Sequence, residues 1–336
     1  MSIRIGINGF GRIGRTVFNL VEREPDMEIV AFNDLADLGD LAYLLKYDSV
    51  HGWNPRKIDH DGGKLIVDGR SIDFYSSPEP REIPWGDSGA DIVIEATGAH
   101  RPRERAAGHM ASGAKRVIVA APSDDADGMF VLGVNADLYD PKKHTVVSMA
   151  SCTTNCLAPI ARVLIDEFGV DDIVFTTIHA YTASQSLMDR PIRKRRRGRA
   201  AAISMVPTTT GAAGATEQVI PELAGKVLGM AMRVPIPDGS ITDAVIRLQM
   251  DTSMDEVNAA FMRASLEGPL AGILRVTDEA LVSRDIIGDT HSSIVDSVST
   301  MMLGKRTVKV LSWYDNEVGY SARLVDFARQ IHTAGV

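Results

Sequence analysis

Apolar and polar positions follow two different rhythms along the chain. Over the first third, short apolar runs alternate with segments whose apolar residues recur every three or four positions. Residues 3–8 and 28–33 read as buried strands, and 12–23 and 38–47 as helices. The glycine-rich stretch 61–74 reads as a hairpin, 91–96 and 116–120 as further strands, and 103–112 as a helix between them. This succession predicts an α/β domain with a Rossmann-type, doubly wound, mostly parallel sheet and helices on both faces. Beyond about residue 150 the strands lengthen and alternate, at 172–179, 230–235 and 243–249, joined by helices such as 254–265. That pattern predicts an α+β domain with a mixed or antiparallel sheet, followed by a late strand at 309–314 and a closing helix at 319–333.

Composition narrows the class. A chain of 336 residues is long enough for two cores, and 45% apolar with 24% charged residues describes an ordinary globular protein. No run approaches the roughly 18–20 apolar residues of a membrane span, and the N-terminus leads straight into a strand pattern. Two cysteines suit a reducing compartment, so a cytoplasmic protein without a membrane partner is expected. The net charge of −8 is a poor footprint for nucleic acid. Against it stands one strongly basic run, residues 190–199, with seven Lys or Arg in ten. Such a run is ordinarily a solvated face or a nucleic-acid patch.

Gly9-Phe10-Gly11-Arg12-Ile13-Gly14 satisfies G-x-G-x-x-G in the context that gives it meaning, after a strand and at the opening of a helix. Gly9 permits the tight turn, Gly11 lets the backbone approach a pyrophosphate, and Gly14 lets helix and strand pack closely. The pyrophosphate then meets the N–H groups of the helix start. Asp34, 20 residues after Gly14, ends the second strand, where a carboxylate accepts bonds from an adenosine ribose and repels a 2′-phosphate. NAD is the expected cofactor.

The segment Ser151-Cys152-Thr153-Thr154-Asn155-Cys156 joins an apolar run to a helical one. A thiol at a helix start is drawn toward its thiolate by free N–H groups and the helix dipole. Cys156 lies one turn further on the same face, where packing is its expected role. A disulfide or half of a metal site stays open for the pair, although no second cysteine pair exists for structural zinc, and no metal is expected. A dinucleotide site and an activated thiol in one chain imply aldehyde oxidation through a thioester, which needs a base near sulfur. His179, at the end of an apolar strand, is the best placed of eight histidines.

These residues resemble the phosphorylating glyceraldehyde-3-phosphate dehydrogenase family, bacterial in type, over essentially the whole chain. The likeness rests on INGFGRIGR at 7–15, KYDSVHG at 46–52, ASCTTNCLAP at 150–159, PTTTGAA at 207–213, IPELAGK at 220–226, MRVP at 232–235 and WYDNEVGYS at 313–321. It implies an NAD-binding domain over residues 1–150, completed by the C-terminal helix 317–336, and a catalytic domain over 151–316. It implies oxidation and phosphorylation of glyceraldehyde 3-phosphate, with Cys152 as nucleophile and His179 as base. Cofactor contacts fall to Gly9, Gly11, Arg12, Ile13, Gly14, Asp34, Thr97 and Asn316, the last orienting the nicotinamide amide. Ser151, Thr153, Thr210 and Gly211 match positions that cradle inorganic phosphate; Thr182, Arg197 and Arg233 match positions that bind phosphate groups of substrate or product. A homotetramer is implied, with the basic run at a subunit interface; Leu35 and Pro191 accompany NAD use.

The chain departs from the common family pattern at Pro78, Ala120, Met149, Ser184, Gly214 and Asp238-Gly239. None of these removes a catalytic group. They leave two alternatives beside the main reading: erythrose-4-phosphate dehydrogenase, which passes the acyl group to water, and a specialised paralogue whose Cys152 resists an electrophilic inhibitor. A binding protein that kept the fold and lost activity is a third, against which Cys152, His179 and Asn316 speak.

Overall fold

The computed structural model of the chain describes residues 2–335, which divide into two compact units. One comprises the chain through Phe130, residues Leu138–Ala150 and the segment from Ser321 onward; the other comprises Val131–Asp137 and Ser151–Tyr320.

In the first unit the strand Ile3–Asn8 lies at the centre of a nine-stranded sheet, parallel to Met27–Asn33 on one side and Ile92–Glu95 on the other. Arg116–Val119, Val146–Ser148 and Gly128–Met129 extend the parallel part beyond Ile92–Glu95, and Arg70–Tyr75 extends it past Met27–Asn33. These central strands read as mostly apolar runs, broken at the paired Arg4 and Glu28, because both their faces are largely buried. The glycine-rich stretch is more than the expected hairpin. Ile58–Asp61, Lys64–Val67 and Arg70–Tyr75 form a three-stranded antiparallel meander, because Gly62, Gly63 and Gly69 supply the positive φ of two successive turns. The helix expected over 103–112 is two short pieces, Arg103–Ala106 and Gly108–Ala111. Gly108 sits at the break, where a Cβ would come within 2.9 Å of Pro80. From the closing helix Val318–Thr333, Phe327 packs against Phe130 and Tyr139, and Arg329 pairs with Glu24 (2.7 Å) and Asp26 (2.8 Å).

The second unit is built on a mixed sheet in the order Val206–Thr208, Val227–Val234, Val170–Ala180, Ser240–Leu248, Thr307–Tyr314, Ser293–Asp296, Leu274–Thr277. Helices Cys152–Phe168, Ala212–Val219 and Met254–Leu266 pack against it. The core is tight: a Cβ on Gly229 would meet the Phe175 ring at 2.2 Å. At the next register position the side chains turn outward. Leu228, Val174 and Val245 stand side by side on three adjacent strands and remain exposed.

Candidate active site

The glycine turn of the first unit has the three properties its spacing demands. Gly9 has φ +92°, and a Cβ there would lie 2.7 Å from the Thr97 amide nitrogen. A Cβ on Gly14 would lie 2.1 Å from Gly9 O, whereas one on Gly11 would meet nothing within 4 Å. The backbone at Gly11 is therefore open to a ligand, as a pyrophosphate requires. The helix Arg12–Val21 opens directly after it, with Ile13 in its first turn and Arg12 ion-paired to Asp48. Asp34 accepts from Phe10 N (2.7 Å) and Ala36 N (3.0 Å), which fixes its carboxylate beside the turn. Thr97 caps Glu95, accepted by the same carboxylate oxygen through its amide (2.9 Å) and its hydroxyl. Glu95 also takes bonds from Asn8 and from His109 Nε2 (3.0 Å). The indole of Trp85 donates to His109 Nδ1 (2.9 Å), so the neutral ring carries its proton on Nε2 and gives it to Glu95. These residues fit a dinucleotide.

A pair of substitutions separates the two kinds of glycine. Gly14→Ala is expected to cost about 1–3 kcal/mol of stability through its backbone clash. Gly11→Ala, at φ −73°, is expected to leave the melting temperature within a degree or two of wild type while weakening NAD binding. Thermal melts beside an NAD titration check both, and a Gly11→Ala protein that binds NAD normally would contradict the assignment.

In the second unit Ser151 is the N-cap of the 17-residue helix Cys152–Phe168, its Oγ accepting from Thr154 N (3.1 Å). Ala150 before it has φ +54°, a left-handed conformation that costs an alanine roughly 1–2 kcal/mol. Thr153 is buried, its hydroxyl bonded to Tyr314 OH (2.9 Å), which also meets Thr177 (2.7 Å). Cys152 Sγ lies 3.5 Å from His179 Nε2. His179 Nδ1 is 2.7 Å from Ala180 O and 2.6 Å from Arg233 Nη1, which also donates to Ala180 O (2.9 Å). With its proton on Nδ1 the ring serves the carbonyl and leaves the Nε2 lone pair toward sulfur; with it on Nε2, Nδ1 would instead accept from Arg233. Burial, then Arg233, hold the imidazole down to about 3, so His179 is neutral at physiological pH. Burial is also the largest influence on the thiol and pushes it up, opposed by Arg233 and by the Thr153 hydroxyl and amide. The pull of the helix start expected from sequence thus works against enclosure. Cys156 is a buried free thiol among Ser293, Ser312 and Thr242, pushed up to about 11 by burial, in keeping with a packing role.

Arg197 donates to Thr208 Oγ1 (3.0 Å), Ser184 Oγ (3.3 Å) and Thr209 O (3.3 Å), and Ser184 meets Thr182 Oγ1 (2.9 Å). Its charge reaches both His179 and Arg233. Thr182, Arg197 and Arg233 therefore form a field of guanidinium and hydroxyl donors suited to phosphate oxygens. Thr210 and Gly211 open the helix Ala212–Val219, the Thr210 hydroxyl accepting from Ala212 N (3.1 Å). Asn316 Oδ1 is joined to the Ser240 hydroxyl at 2.5 Å, and Ser240 Oγ accepts from Ala180 N (3.1 Å). Ser240 was not singled out by sequence. Its only signal is a hydroxyl on the buried phase of the alternating strand Ser240–Leu248.

Asp238, also buried, is pushed up to about 9 by burial and by the carboxyls of Asp315 and Glu317, so it holds its proton at neutral pH. Because the folded value lies above the unfolded one, this stabilisation is complete below about pH 4 and is lost as pH rises toward 9. Asp238→Asn removes that loss. The melting temperature of the variant relative to wild type is expected to climb steadily from pH 5 to 9; a constant difference would contradict it.

The family comparisons agree with this geometry. Residues 3–103 match the glyceraldehyde 3-phosphate dehydrogenase NAD binding domain, and residues 151–316 match the C-terminal domain of the same family. The glyceraldehyde-3-phosphate dehydrogenase of Geobacillus stearothermophilus is 52% identical over 336 residues, covering 100% of both chains. That of Streptomyces coelicolor is 52% identical over 97% of each chain, and glyceraldehyde-3-phosphate dehydrogenase 1 of Bacillus subtilis is 49% identical over 100% of each. With an NAD-type glycine turn in one unit and a cysteine–histidine pair in the other, the chain belongs to the glyceraldehyde 3-phosphate dehydrogenase family.

Proposed function

We propose that this chain catalyses the NAD-dependent oxidation and phosphorylation of glyceraldehyde 3-phosphate to 1,3-bisphosphoglycerate, with the acyl group carried on Cys152. The observation that carries this reading is the 3.5 Å approach of Cys152 Sγ to His179 Nε2 at a helix N-terminus. His179 takes the thiol proton as sulfur attacks the aldehyde carbon and returns it to the carbonyl oxygen, which becomes the hydroxyl of a hemithioacetal. Bound NAD, held by Gly9, Gly11, Arg12, Ile13, Gly14, Asp34, Thr97 and Asn316, supplies the hydride acceptor. His179 removes the hydroxyl proton during oxidation, which leaves a thioester on Cys152. Inorganic phosphate, cradled by Ser151, Thr153, Thr210 and Gly211, attacks the thioester carbon; the C–S bond breaks and sulfur leaves as thiolate. Thr182, Arg197 and Arg233 hold phosphate oxygens of substrate and product. Sustained NADH formation that requires both glyceraldehyde 3-phosphate and inorganic phosphate tests this, and phosphate-independent turnover would overturn it.

The same reading includes a homotetramer in a reducing cytoplasm. Leu228 and Val174, 69% and 52% exposed, join Val245 in an apolar outer sheet face that a second copy would cover. Val174→Asp is expected to lower the particle mass measured by light scattering; an unchanged tetramer would place the contact elsewhere. No helix among the described residues is long and apolar enough to cross a membrane.

A further inference from the structure

We propose that Ser240 is a positioning residue for the cofactor, fixing which end of the Asn316 amide meets the nicotinamide carboxamide. The inference rests on the role given to Asn316 above. Ser240 has no exposed surface, so its hydroxyl proton has to find an acceptor inside the protein. Ala180 N–H already donates to Ser240 Oγ at 3.1 Å. Asn316 is the remaining partner, at 2.5 Å. That separation lies at the short limit for O–H···O and is too short for N–H···O. Only the amide oxygen can take the proton, so Oδ1 is the end turned to Ser240.

The consequence lies at the other end of the amide. With Oδ1 committed, Nδ2 makes no hydrogen bond among the described residues and keeps both its N–H groups for a ligand. A donor presented in this way matches the carbonyl oxygen of a carboxamide; a flipped amide would offer an acceptor and repel it. The chain Ala180 N–H to Ser240 O–H to Asn316 Oδ1 also anchors the amide to the residue after His179. Ser240 therefore acts through Asn316 and touches neither substrate nor cofactor itself.

Calorimetric titration of the full protein with NAD and with ADP-ribose, which lacks the nicotinamide, tests the proposal. Ser240→Ala is expected to weaken NAD binding roughly three- to tenfold, the scale of one lost hydrogen bond, and to leave ADP-ribose binding unchanged. Combined with Asn316→Ala it is expected to bind NAD no worse than Asn316→Ala alone, because the two residues act in series. Ser240→Cys, with nearly the same volume and a weaker donor, is expected to fall between wild type and alanine and serves if the alanine variant folds poorly. The proposal is overturned if NAD and ADP-ribose weaken together in the serine variants, or if the effects of Ser240→Ala and Asn316→Ala simply add. NAD binding unaffected by Ser240→Ala but weakened by Asn316→Ala overturns it while leaving the Asn316 role intact. NAD binding unaffected by Asn316→Ala removes that role, and the proposal with it.

Discussion

Replacing Cys152 with serine is expected to reduce kcat by roughly 10⁴-fold or more, on the scale of losing a covalent nucleophile. A serine hydroxyl, with a pKa far above that of a thiol, gives its proton to the neutral imidazole 3.5 Å away far less readily. The loss should fall on chemistry alone. Ser151 still caps the helix Cys152–Phe168, and the glycine turn belongs to the other unit, so the variant is expected to fold and to bind NAD as wild type does. Steady-state kinetics beside an NAD titration check this. Appreciable turnover by Cys152→Ser would move the nucleophile elsewhere, whereas Cys156→Ser is expected to affect stability more than rate because its thiol is buried in the core.

The next largest effect is expected from His179→Asn, which removes the proposed base but retains a polar group: a loss of about 10²- to 10⁴-fold in kcat. Alkylation of Cys152 by a small neutral reagent should slow in the same variant, and its half-maximal pH should move up. Arg233 enters with a definite sign. Its charge pulls the thiol down and pushes the imidazole down, so Arg233→Met is expected to raise both titrations. The His179 value below its unfolded one also has a stability consequence. Its contribution is present above about pH 6.5 and is lost as pH falls toward 3, a loss that His179→Asn should lessen. Alkylation profiles unmoved by either substitution would contradict the pairing.

Much of this was legible in sequence for identifiable physical reasons. The strand Ile3–Asn8 and the turn after it were clear because apolar residues dominate a buried parallel strand and each glycine answers a separate steric demand. Cys152 and His179, 27 residues apart, were both visible because each closes or opens a strongly patterned element. What periodicity could not reveal was how those elements exchange hydrogen bonds. Tyr314 joining Thr153 to Thr177, and Ser240 joining Ala180 to Asn316, connect residues 60–161 positions apart through single hydroxyls. The balance at Cys152 was hidden for a related reason. Helix position is written in local sequence, but the enclosure that raises the thiol comes from the fold. Asp238 stood out only as a departure from the family pattern, and its proton follows from Asp315 and Glu317 lying close by.

The proposed acyl group on Cys152 is the feature on which the rest depends. Intact-protein and peptide mass spectrometry of the enzyme mixed with NAD and glyceraldehyde 3-phosphate, without inorganic phosphate, observes it directly. One 3-phosphoglyceroyl group is expected on the peptide containing Cys152, disappearing when phosphate is added. An adduct on another residue, or none at all while NADH forms, would contradict a thioester at Cys152.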